Sequence, residues 1–129
     1  AFANVALSCD TGASHTLQRL VGRAKALELL YFPRTLSATD AVELGIATKV
    51  VPGAELAIEL PNKLARQLAE GPTIALGAIR QSVAYAAGSS FEEALAFESA
   101  MMAKTRATSD HEAAVAAFVG KWKPDFIGR

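Results

Sequence analysis

In this 129-residue sequence, the residues best suited to chemistry lie in Ser8-Cys9-Asp10-Thr11-Gly12-Ala13-Ser14. A carboxylate sits there in a turn of small residues, and a helical pattern follows at once. Small side chains let a ligand approach the backbone, and a carboxylate held against it can serve as acid or base. Asp10 also has a plainer reading. An Asp in a turn before a helix commonly caps that helix or bonds its own backbone. On the residues alone, the plainer role is the commoner one. Cys9 beside it reads as a small packed residue, because no cation is placed to lower its pKa. His15 and His111 read as surface residues. Two histidines and one cysteine, far apart, do not have metal-ligand spacing.

These groups need elements to position them. Ala3 to Leu7 alternates weakly and predicts a short strand. Leu17, Leu20 and Val21 predict a short helix ending at Gly22, and Ala24 to Tyr31 a second one ended by Pro33. Ser37-Ala38-Thr39-Asp40 reads as a capping box, and Gly45 as the glycine that closes that helix. Ile46 to Val51 is rich in β-branched residues and predicts a strand, with Pro52 and Gly53 turning the chain. Leu56, Leu60, Leu64 and Leu68 form a stripe that Pro61 interrupts, so a helix either starts near Pro61 or kinks there. Gly71-Pro72 opens a helix that runs to about Ala87. Ser90-Phe91-Glu92-Glu93 is a second capping box, with Phe91, Leu95, Glu98 and Met102 on one face. Ser109-Asp110-His111-Glu112 reads as a third. Val115, Phe118, Val119 and Trp122 follow it, and Pro124 is the expected stop. The fold class is mostly α with one or two short strands.

Composition narrows the function. Thirteen basic and thirteen acidic residues cancel, which argues against an electrostatic nucleic-acid binder. A single cysteine cannot make an internal disulfide and points to a reducing, cytoplasmic compartment. No apolar run approaches the roughly 18 residues of a membrane helix.

The Asp10 turn, followed by Leu17-x-Arg19-x-Val21-Gly22-x-x-x-Ala26-x-Glu28-Leu29 and then by Ser37-Ala38 through Ala41 to Gly45-Ile46-Ala47 and Val50-Val51, resembles the second half of the crotonase superfamily, the enoyl-CoA hydratases and isomerases. The resemblance runs from about Phe2 to Phe126. It implies that residues 1–129 are the C-terminal helical half of a crotonase-like α/β (ββα spiral) domain. The N-terminal half is expected to be missing from this chain, which opens at Ala1 within a strand-like pattern.

The resemblance also implies roles. Hydratases carry a catalytic Glu eight positions before the slot of Asp10, and that earlier slot is Phe2, which cannot move a proton. Isomerases of the family carry Glu or Asp at the slot of Asp10. The implied reaction is therefore double-bond isomerisation of an enoyl-CoA with Asp10 as acid/base, and burial beside an acyl chain would raise its pKa. Phe2, Gly12 and Ser14 would meet the substrate, and Phe118 and Lys121 of Phe118-x-x-Lys121 would reach CoA from a neighbouring subunit. The two backbone donors of an oxyanion hole would come from the absent half. Hydration is one alternative. A second is a dehalogenase of the 4-chlorobenzoyl-CoA type with Asp10 as nucleophile, although those enzymes carry Trp where Phe2 stands. A third is an inactive fragment serving oligomerisation. No cofactor or metal is implied beyond the CoA of the acyl-CoA thioester. The expected assembly is a homo-oligomer, a trimer or dimer of trimers.

Overall fold

A computed structural model describes residues 2–51 and 53–129, apart from the side chains of residues 54–57. Pro52 of the expected turn and the Leu56 side chain of the leucine stripe lie outside the described residues. The chain divides into two compact units, Ala1–Gly53 and Ala54–Arg129.

The first unit holds a 3-10 turn at Phe2–Val5 and three helices, α1 (Ala13–Val21), α2 (Arg23–Tyr31) and α3 (Ala38–Glu43). Gly22 joins α1 to α2 at φ 77°, ψ 157°, a backbone region essentially restricted to glycine. The sharp join lets α1 fold onto α2, and the 3-10 turn packs against α2 as well. Ala26 of α2 is the buried centre of this unit, at 4% exposure.

The capping box of α3 forms as the spacing predicts. The Asp40 N–H donates to Ser37 Oγ at 3.0 Å, and the Ser37 N–H donates to Asp40 Oδ2 at 2.8 Å. These bonds hold the Asp40 carboxyl below the ordinary range, the Ser37 N–H contributing most, then the Ser37 hydroxyl, with Arg34 adding less. At the other end, the Ile46 N–H reaches the Ala41 carbonyl at 2.8 Å and the Gly45 N–H reaches Val42 at 3.0 Å. With Gly45 at φ 73°, this is the Schellman closure that its sequence position implies.

The second unit contains α4 (Ala54–Ala69), α5 (Thr73–Ala86), α6 (Phe91–Arg106) and α7 (Ser109–Gly120). Helix α4 continues on both sides of Pro61, so the proline does not mark its start. Helices α5 and α6 form a hairpin. Tyr85 stacks on Phe97 with ring centroids 4.3 Å apart and planes 9° from parallel, a geometry worth more than its area alone. Ser90 caps α6, accepting from the Glu93 N–H at 3.2 Å, while Glu93 Oε2 accepts from the Ser90 N–H at 2.8 Å.

Three expectations need correcting. No strand forms among the described residues. Phe2–Val5 is a 3-10 turn, and 46–51 is irregular. A strand needs a hydrogen-bonded neighbour, and the described residues provide none. Thr108, not Ser109, caps α7, because its Oγ1 accepts from the His111 N–H at 3.1 Å. Helix α7 also stops at Gly120, before Pro124. Lys121 turns left-handed at φ 59°, and the Trp122 indole folds back over Gly120 into space that any Cβ would fill.

Burial is sparse. Ala26, Ala78 and Ala117 are the buried apolar residues among those described, while Phe32, Ile58, Phe91 and Val119 stand exposed. Helices with one apolar face need a second layer to cover it.

Candidate active site

The turn before α1 is built from two successive left-handed residues, Thr11 at φ 54° and Gly12 at φ 77°. Gly12 is the N-cap residue of α1, with no side-chain capping bond. Of the two plain roles open to Asp10, capping the helix is not the one it takes; its carboxylate bonds the adjacent backbone at the Thr11 N–H. Its carbonyl accepts from the Ala13 N–H at 3.0 Å and from Thr11 Oγ1 at 2.8 Å. One carboxylate oxygen lies close against the Thr11 N–H, and the side chain is exposed. The turn therefore fixes the backbone of Asp10 and leaves its carboxylate at the surface.

Cys9, the preceding residue, is half-buried and lines a partly open cavity of about 440 Å³. Helix α2 supplies the apolar floor through Ala26, Leu27 and Leu30, and Tyr31 and Arg23 stand at its ends. The N-terminal stretch supplies a wall through Phe2, Ala3 and Leu7. Ser8, Ser14 and Gln18 add polar groups. An apolar hollow with a few polar groups, of a volume in the range of roughly 300–1,000 Å³, suits a small organic ligand. Phe2 and Ser14, expected at the substrate, thus face one cavity. Asp10 and Gly12 belong to the turn that borders it and are not among its lining residues. His15 lies on the exposed side of α1, its ring against the Arg19 guanidinium.

Phe118 and Lys121 belong to the second unit. Phe118 is 86% exposed, and Lys121 is exposed at the left-handed end of α7. Both are accessible, as a contact with a ligand or a neighbouring chain requires.

The model of the enoyl-CoA hydratase/isomerase family matches residues 1–129. The chain belongs to the enoyl-CoA hydratase/isomerase family. It is 34% identical over its whole length to the 1,2-epoxyphenylacetyl-CoA isomerase of Escherichia coli (strain K12), covering 49% of that protein. It is 29% identical over 118 residues to the 2,3-dehydroadipyl-CoA hydratase of the same organism, covering 92% of this chain and 46% of that protein. A solved structure, an enoyl-CoA hydratase subunit I of Geobacillus kaustophilus HTA426, superposes with a TM-score of 0.89 at 34% identity over 99% of this chain and 49% of its own. The chain spans about half the length of the curated relatives it matches. The seven α-helices among the described residues are consistent with the helical C-terminal part of the crotonase fold.

One residue escapes the sequence reading. Asp110 reads as the interior of a capping box, yet it is 3% exposed. Its carboxylate accepts from the Ile127 N–H at 2.7 Å and from the Gly128 N–H at 3.0 Å. Backbone donors have no side-chain signature, so no motif marks this partnership.

Proposed function

We propose that the protein carrying this chain is an enoyl-CoA isomerase in which Asp10 is the acid/base. The supporting observation is the placement of Asp10. It does not cap α1, and its carboxylate is exposed directly after a residue that lines an apolar cavity. Moving a double bond from the 3,4 to the 2,3 position removes a proton from carbon 2 and returns one at carbon 4. One carboxylate can serve both carbons by swinging between them. The thioester enolate formed in between needs hydrogen-bond donors, which this reading places outside these 129 residues. The 129 residues alone are accordingly expected to be inactive.

Phe2 lines the cavity from the slot where hydratases of the family carry a glutamate, and a phenyl ring cannot activate water. Phe118 and Lys121 are assigned to CoA, the lysine as a point charge for phosphate, with the contact made across subunits of a cytoplasmic homo-oligomer. The test compares two reactions of the full-length protein. Turnover of a 3-enoyl-CoA well above hydration of a 2-enoyl-CoA supports isomerisation. Hydration as the faster reaction overturns it.

A further inference from the structure

The segment after α7 retraces that helix. Lys121 reverses the chain, Trp122 folds onto Gly120, and residues 127–129 arrive at the opposite end of α7, beside Asp110. The path fits the lengths available. Twelve helical residues span about 18 Å, and the seven residues from Trp122 to Gly128 reach about 23 Å when extended. At the far end three hydrogen bonds close the circuit. Asp110 accepts from Ile127 at 2.7 Å and from Gly128 at 3.0 Å, and its own N–H donates to the Arg129 carbonyl at 3.0 Å. Gly128 is shaped for the crossing. It stands at φ +72°, and a Cβ there would lie 2.9 Å from Thr73 Oγ1 at the start of α5.

We infer that residues 121–129 form a strap over α7, that Asp110 is its clasp, and that the clasp holds the Lys121–Lys123 turn in place. Asp110 is a positioning residue in this scheme. A carboxylate buried at the start of α7 is satisfied by strap amides, so losing it releases the strap end. Losing Glu112, an exposed carboxylate of the same first turn, removes a similar interaction with the helix dipole and leaves the strap closed.

Amide hydrogen exchange at Ile127 and Gly128 in the full-length protein tests the clasp. Asp110→Ala should speed exchange there by roughly tenfold or more, since hydrogen bonds to a charged acceptor are lost. Gly128→Ala should do the same from the strap side, and Glu112→Gln should not. Asp110→Asn keeps the side-chain volume and one acceptor, and should give an intermediate increase in a folded protein. Trypsin should cut after Lys121 faster in the clasp variants. Unchanged exchange in folded Asp110→Ala or Asp110→Asn overturns the proposal. A second readout rests on the assignment of Lys121 to CoA: Asp110→Asn should raise KM for acyl-CoA severalfold with kcat held. Faster exchange without a KM change would leave the strap standing and count against the Lys121 assignment.

Discussion

Replacing Gly120 with alanine puts two local forces in opposition. Gly120 is the last residue of α7, and alanine in a helix is favoured over glycine by up to about 1 kcal/mol. Propensity alone therefore predicts a gain. The structure predicts a loss, because the new Cβ would fall within the Trp122 ring at Cζ3, Cε3 and Cη2. The indole has to leave. Trp122 is 61% exposed, so about two-fifths of its surface is covered. For a side chain of about 250 Å² that is about 100 Å², or about 2.5 kcal/mol at 25 cal/mol per Å². Set against the propensity gain, Gly120→Ala should destabilise by about 1–2 kcal/mol. Urea unfolding of the full-length protein measures this, and the emission of Trp122, the sole tryptophan of these residues, should shift to the red. Repeating the change in a Trp122→Ala background should reverse its sign to a small gain. Stabilisation with Trp122 present, or the same effect in both backgrounds, would refute the reasoning.

Gly22→Ala should cost about 1–3 kcal/mol by urea unfolding through backbone strain alone, since its φ/ψ suits glycine and nothing lies within 4 Å of a Cβ built there. Ser90→Ala should cost about 1 kcal/mol by the same measurement, because the Glu93 N–H loses its acceptor. Both capping carboxylates are held below their ordinary range, Asp40 mainly by the Ser37 N–H and Glu93 mainly by the Ser90 N–H. A depressed carboxyl contributes stability that is complete above its unfolded pKa, about 4, and is lost as pH falls through the lower folded value. Stability measured from pH 5 downward should therefore decline, and Glu93→Gln, which cannot titrate, should remove the part of that decline due to Glu93.

Signals that act within one turn of helix are legible in the sequence. Ser37 and Ser90 with carboxylates three residues on, and Gly45 after α3, mark ends that the structure forms with the expected bonds. Relations between distant residues are not. The β-branched run at 46–51 has strand composition, but pairing depends on a neighbour that composition does not reveal. The end of α7 depends on a ring lying over a glycine, and the fate of Asp110 on amides 17 and 18 residues away. The candidate site divides along the same line. Asp10 and Gly12 stand out through local turn chemistry. That Phe2, Cys9 and Ser14 share a cavity with α2 follows from the Gly22 join, which folds α1 back and is a tertiary fact.

Asp10→Asn in the full-length protein tests most directly whether Asp10 carries the proton. Asparagine keeps the size of the side chain and an oxygen that can face the Thr11 N–H, so the fold should persist by circular dichroism and unfolding. If Asp10 is the acid/base, kcat for 3-enoyl-CoA isomerisation falls by about 10²–10⁴-fold, the usual contribution of a general acid/base, with KM changed little. Turnover within a few-fold of the unsubstituted protein would contradict that role.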